Sequence, residues 1–370
     1  MTRKIQLLAL SALLCASSVA RPHAQQPPAA PGAPPAQSAP PQNQNPRPIT
    51  GAPTVAVIVP VTVKDSRGQL VGDLTRDDFR IFADNVPQKI SYFASDPVPI
   101  SAVVLVDNDL SDRAVKQVQR SLVAVAAGFG PQDETALVKY DQYPNTIVDF
   151  STNNDLLFTQ LKRLELDSHP AMNPSDPTTA GPISADSPPI INGQPAPLPT
   201  GVPLRVSKHA GSTNCLHDAL YAAGQMLKGR GRDRRKIIVL ISDGSNSKLN
   251  THTFEETLRS LLIADVSVFS ISVTRSVPVG KSIVQHSASE LDKYAIQTGG
   301  DTYFASKEPD LDRLYKDVTE EARNEYTLAF SPEEVNRSHD YHSIEVRVER
   351  PGLNVRARDG YYQSSIAVGR

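Results

Sequence analysis

Cysteine is nearly missing from this sequence: its 370 residues contain two, Cys15 and Cys215, and there is no tryptophan. Cys15 lies in an N-terminal stretch that reads as an export signal, so processing leaves Cys215 alone. A single cysteine makes no internal disulfide, and no paired C-x-x-C is available for a thiolate metal centre. Cys215 itself falls in a helical pattern and reads as a small buried hydrophobe. An excess of positive charge is missing too: 38 Lys and Arg stand against 40 Asp and Glu, a formal charge of −2. That excludes the clustered cations of a nucleic-acid-coating protein. Beyond the N-terminus no apolar run approaches the ~20 residues that span a bilayer, so no transmembrane segment is expected in the mature chain. The G-x-S-x-G, P-loop and H-E-x-x-H motifs are also absent, which removes three common enzymatic frameworks.

Proline is abundant instead, with 31 residues, 21 of them in the stretches 22–53 and 170–203. Residues 1–24 read as a signal peptide, with Arg3 and Lys4 ahead of the apolar run Ile5 to Ala16. Small residues then offer cleavage after Ala20 or after Ala24. Residues 25–53 hold almost no large apolar side chains and read as a disordered, polyproline-like tether. The chain is therefore expected to be exported, to the periplasm or beyond the cell.

Two β-rich segments, 54–97 and 325–364, flank an alternating middle. In the first, Pro60 argues for an edge strand or a bulge, Thr75 to Asp78 is a one-turn capping pattern, and Asp84-Asn85 a turn. In the second, Ile344 to Glu349 alternates apolar and charged residues strictly, and Pro351-Gly352 makes a turn. Each segment is too short for a core of its own, so the two are expected to pair into one small all-β sandwich. Between them, 99–324 alternates unbroken apolar strands (Ser101 to Val106, Ile237 to Ile241, Val266 to Val273) with amphipathic helices. One such helix carries Val115, Val118, Leu122 and Val125 on a single face. This pattern predicts an α/β fold, a doubly wound, mostly parallel, Rossmann-like sheet covered on both faces. A Pro-rich insertion, 168–208, interrupts it and is expected to be disordered decoration.

In such sheets ligands sit outside the carboxyl ends of the strands. Three loops there carry oxygen donors: Asp107-Asn108-Asp109-Leu110-Ser111, Gly211-Ser212-Thr213-Asn214, and Ser242-Asp243-Gly244. Singly, each reads as a turn or a helix cap. Together they read as carboxylates and hydroxyls converging on a hard cation. His209 and His217 flank the second loop and read as surface or capping residues.

The segments LTRDDFRIFADNVPQKISYF, AVVLVDND, GSTNCLHDALYAA, KIIVLISDG, EYTLAFSP and IEVRVERPGLNVRARDGYY together resemble the von Willebrand factor A domain. The sequence looks especially like the secreted bacterial, acidobacterial-type proteins that carry it. The resemblance covers most of 55–364. It implies a sheet bearing a metal-ion-dependent adhesion site, in which a D-x-S-x-S loop, a Thr and an Asp hold a divalent cation (Mg²⁺, or Ca²⁺ or Mn²⁺). That cation then accepts an acidic side chain of a protein or matrix partner. Carried over by position, the metal ligands are Asp107, Asp109, Ser111, Thr213 and Asp243, with Asp109, Ser111 and Thr213 also facing the partner. Two departures stand out. Asp109 replaces a Ser, and this third carboxylate favours a bare cation while neutralising the charge that attracts an acidic partner. The family also places its Thr four residues before an Asp, whereas Thr213 lies five before Asp218, with Ser212 in reserve.

The function expected from these residues is non-catalytic binding of the adhesion type at a degenerate metal site. Two other readings stand beside it. A strand ending D-x-D-x-S also describes the nucleophile loop of haloacid dehalogenase-like phosphatases, with Asp107 attacking phosphorus and Asp109 as acid/base. Alternatively the α/β part is a degenerate scaffold and the β-sandwich does the binding.

Overall fold

The computed structural model describes residues 56–169, 190–191, 194–195, 214–273, 277–279, 282–284, 288–305, 308–332 and 340–363. The expected signal (1–24), the tether (25–53) and nearly all of the insertion lie outside these residues. Along the chain the principal strands and helices are β1 (Val57–Lys64), β2 (Phe79–Ala83), β3 (Val86–Gln88), β4 (Ile90–Ala94), β5 (Ile100–Asp107), α1 (Asp112–Ser121), β6 (Glu134–Tyr140), β7 (Pro144–Ser151) and α2 (Asn154–Arg163). They continue with α3 (Leu216–Lys228), β8 (Arg235–Ser242), α4 (Phe254–Ile263), β9 (Val266–Ser272), α5 (Ala288–Thr298), β10 (Thr302–Phe304), α6 (Glu308–Arg323), β11 (Tyr326–Phe330), β12 (Tyr341–Val348), β13 (Asn354–Ala357) and β14 (Gly360–Tyr362).

The central sheet has six strands in the order β10-β9-β8-β5-β6-β7. All neighbours run parallel except β7, which returns antiparallel on β6. Every residue of β5, β8 and β9 is buried, because both faces of the sheet are covered. Side chains alternate between the faces with a period of two. Val104, Val106, Val239 and Ile241 meet α1, α2 and α6 on one side. Val103, Leu105, Ile238 and Leu240 meet α3, α4 and α5 on the other. Helix α3 presents Leu216, Ala219, Leu220, Ala223 and Leu227 to this second core, and Gly224 lets α4 approach, since a Cβ there would sit 2.8 Å from Leu261 Cδ2. The helix expected through Val125 is α-helical only to Ser121 and continues as a 3₁₀ stretch, Leu122–Gly128. The tightening brings Gly128 against α6, where a Cβ would lie 2.5 Å from Thr319 Oγ1.

The segments on either side of this sheet form two four-stranded antiparallel sheets, β13-β1-β11-β4 and β14-β12-β2-β3. Val59, Val61, Phe79, Ile81, Leu328 and Phe330 from both sheets share one apolar cluster. Asp84 and Asn85 adopt φ of 49° and 65°, the left-handed pair that a two-residue hairpin requires, and they join β2 to β3. Pro60 does not mark an edge strand: β1 lies between β11 and β13. However, β13 pairs only with Val61–Lys64, so Pro60 falls in the half of the strand flanked by β11 alone. Its missing N–H is tolerated there. Among the described residues no helix is long and apolar enough to cross a membrane.

Candidate functional site: the carboxyl rim around Asp107

From β5 the chain moves to β6 on one side, and after α3 it returns to β8 on the other. The carboxyl end of β5 is therefore the switch point of the sheet, where the loops diverge. Asp107 occupies that end and is fully buried. Its Oδ1 accepts the Asp109 backbone N–H at 2.9 Å and the Asn214 side-chain amide at 2.8 Å. Its Oδ2 accepts the Ser242 hydroxyl at 2.7 Å and lies 3.5 Å from the Tyr140 hydroxyl. Ser242 Oγ in turn accepts Tyr140 O–H at 3.2 Å and Gly244 N–H at 2.9 Å. Burial, with the Asp243 charge nearby, pushes the Asp107 carboxyl up to about 7, against the pull of its hydrogen bonds.

The sequence-derived set is partly assembled here. Asp109 is buried beside Asp107. Asp243, half-buried, follows β8 and accepts Ser245 N–H at 2.8 Å. Ser111 stands at the N-cap position of α1 with no side-chain capping bond, and its backbone pairs with His169 in the short parallel bridge Leu110–Ser111 to Ser168–His169. Ser212, Thr213 and His209 lie outside the described residues.

Three contributors stand outside the sequence-derived ligand set: Asn214 and Ser242, which lie in the loops already singled out, and Tyr140, which does not. Asn214 had a signal, because it lies four residues before Asp218, the spacing the resemblance calls for. The preference for a hydroxyl drew attention to Thr213 instead. Ser242 and Tyr140 end strands β8 and β6, and only the parallel register, which sets Asp107 beside Tyr140, brings them to one point.

The loops are tied to each other as well as to Asp107. Asn108 Nδ2 reaches Asp141 at 3.2 Å and Asp167 at 3.1 Å, and Cys215 N–H bonds the Asp141 carbonyl at 2.8 Å. Ser247 N–H bonds the Asn214 carbonyl at 2.6 Å. The free N–H groups at the start of α3 are satisfied by side chains of the next loop: Asn246 Oδ1 accepts from Leu216, and Asn250 Oδ1 from His217 and Asp218. His217 is therefore neither a surface residue nor a cap. Its Nε2 accepts from Asn246 at 2.9 Å and its Nδ1 faces the Tyr294 hydroxyl at 2.8 Å, and burial holds its pKa below the ordinary value. Cys215 is buried as expected, but at the N-cap position just ahead of α3 and not within the helix, and that burial raises its thiol pKa.

Carboxylates and hydroxyls are the donors a hard cation takes, yet Asp107 spends its oxygens on N–H and O–H groups. Among the described residues no group of three or more His, Cys, Asp or Glu is placed to hold a metal ion. The donor set around Asp107 does not fit a directly bound cation.

No family model matches the chain, and no curated protein matches it. Solved structures similar to it include von Willebrand factor A domains. A von Willebrand factor type A protein from Catenulispora acidiphila is 9% identical, with a TM-score of 0.42, over 79% of this chain and 76% of that one. An aerotolerance-related membrane protein from Bacteroides fragilis is 10% identical, with a TM-score of 0.40, over 60% of this chain and 98% of that one. Proximal thread matrix protein 1 of the mussel byssus, in a structure with a zinc-occupied MIDAS motif, is 14% identical, with a TM-score of 0.39, over 62% of this chain and 49% of that one.

Proposed function

We propose that this chain is an exported, non-catalytic recognition module that takes a protein or matrix partner on the carboxyl rim of its six-stranded sheet. The observation that carries this reading is the joining of the loops after β5, β6 and β8, with the entry to α3, into one hydrogen-bonded platform around Asp107. Two large apolar side chains stand exposed on that platform, Tyr143 at 71% and Leu249 at 60%. One belongs to the turn after β6 and the other to the loop after β8. Exposed anchors on a rigid polar frame are what a protein interface uses. Ser111 and Asp243 contribute the polar part of the face, with Asp109 buried beneath it. We read the two outer sheets as a small sandwich that supports the rim.

Full burial of Asp107 supports the non-catalytic assignment, because the phosphatase reading needs that carboxylate free to reach phosphorus. The test is capture from the cell envelope of the source organism, using the full chain without its signal. The variant Tyr143→Ser/Leu249→Ser should lose a partner that the parent protein retains. Charge reversal on the exposed face of β12 (Glu345→Lys, Arg347→Glu) should leave capture intact; the opposite pattern would transfer the function to the outer sheets. Hydrolysis of an aryl phosphate with Mg²⁺, abolished in Asp107→Asn, would establish the enzyme instead.

A further inference from the structure

We infer that the rim loops are held together by the Asn214 and Ser242 side chains in place of a divalent cation, and that Asp107 does not ligate metal. A carboxylate offers about four lone-pair sites. Oδ1 of Asp107 takes two donors, from Asp109 and Asn214. Oδ2 takes the Ser242 hydroxyl and faces that of Tyr140. Three hydrogens, from two N–H groups and the Ser242 hydroxyl, are thus turned toward Asp107, the polarity opposite to that of a ligand oxygen, while Tyr140 closes the remaining side and gives its hydrogen to Ser242.

A cation entering this point must first break one of these bonds in a place closed to water. The displaced donor would stay buried and unsatisfied, which costs more than a bond lost at the surface. Ser242 offers no easier route, because its oxygen already donates to Asp107 and accepts from Gly244 and Tyr140. The structural work of a cation, tying separate loops to one point, is done by direct bonds. Asn214 spans two of the three loops: its side-chain amide holds Asp107 and its backbone carbonyl holds Ser247 N–H. At position 214 it is the Nδ2 end of the amide, and not its Oδ1, that faces Asp107.

The inference extends to the partner, and this step rests on the rim being the recognition face. With no cation at Asp107, an acidic partner side chain has nothing to ligate there. Recognition falls to Tyr143, Leu249 and the neutral polar groups around them, and it is insensitive to chelation.

The experiment titrates MgCl₂, MnCl₂ and CaCl₂ calorimetrically into the full chain without its signal, and follows Mn²⁺ broadening of the amides at 108–111, 214–216 and 244–247 by NMR. The expected result is no saturable heat up to millimolar metal, no selective broadening at those amides, and the same melting temperature with and without EDTA. Asn214→Ala should melt about 3–8 °C lower, and Mg²⁺ should not restore the loss. Saturable binding with selective broadening of the rim amides in the parent protein would overturn the inference, whatever the variants do. So would an Asn214→Ala protein that melts like its parent. Partner capture is measured separately, so a failure of the recognition reading leaves the metal result to stand or fall alone.

Discussion

Arg358, buried after β13, places Nη1 2.9 Å from Oδ1 of Asp265, two residues past the end of α4. The same guanidinium donates to the carbonyls of Leu262 at 2.7 Å, Gly360 at 2.9 Å and Ile58 at 3.3 Å. One side chain thus joins the end of α4, the start of β1 and the turn into β14. Asp265 has φ of 56°, the left-handed conformation common just past a helix end and ordinarily filled by Gly or Asn. The ion pair accounts for an aspartate there. A fork of fixed donors also explains why arginine is used and not lysine.

Arg358→Met removes four hydrogen bonds and leaves Asp265 paired with Arg232 at 3.5 Å, with the Lys236 charge also nearby. Breaking one side of a buried pair costs about 3–5 kcal/mol; the surviving neighbours place the expected loss at the lower end. Urea unfolding should show a lower midpoint, and Arg358→Lys should recover less than half of the difference. A midpoint unchanged in Arg358→Met would show that the outer strands are held by their apolar contacts alone.

The parts of the fold legible in the sequence are those where one physical demand acts on consecutive residues. Strands β5 and β8 read as unbroken apolar runs because helices cover both faces, and β12 alternates because one face is wet. Less legible were features set by neighbours distant in sequence. Pro60 was tolerated inside a sheet because β13 stops at Val61. Asn214 could be matched by spacing, yet its role depends on the position of Asp107, over one hundred residues earlier. Ser242 and Tyr140 joined the site through strand register, which no local pattern records.

Gly300→Ala is expected to be among the most damaging small substitutions in the chain. A Cβ at Gly300 would lie 2.0 Å from the Val268 carbonyl oxygen on β9, and a backbone atom of a central strand cannot turn aside as a side chain can. The cost should be about 3 kcal/mol or more, read as a fall in the thermal midpoint. Gly72→Ala is the control, because nothing lies within 4 Å of its Cβ position; a loss of similar size there would defeat the steric explanation.

Asp107→Asn keeps the shape of the side chain and should still destabilise the protein. The groups facing Asp107 are donors from Asp109, Asn214 and Ser242. An amide nitrogen placed among them points hydrogens at hydrogens and leaves at least one buried donor unsatisfied. The expected cost is about 1–3 kcal/mol, measured by chemical unfolding near pH 5, and it should shrink as pH rises through about 7, where burial and the Asp243 charge make ionisation of the parent carboxyl costly. If the variant is as stable as the parent, the bonds drawn to Asp107 contribute nothing to holding the rim.

Glu325 gives a pH dependence whose sign can be worked out. Its side chain is fully buried, with Oε2 3.0 Å from Nε of Arg235, and burial outweighs that attraction, pushing its carboxyl from 4.5 up to about 7. The folded state therefore holds a proton that the unfolded state releases between these values. Stability from this group is fully present below about pH 4.5 and is lost as pH rises through 7. At about 1.36 kcal/mol per pKa unit, the loss is on the order of 3 kcal/mol. Glu325→Gln cannot titrate, and Arg235 retains the carbonyls of Ala322 and Glu325 at 3.2 and 2.9 Å. Urea unfolding of parent and variant at pH 5 and pH 8 should show the parent losing ground to the variant as pH rises. A difference that runs the other way would mean that the pair is ionised in the folded protein and that Arg235 prevails over burial.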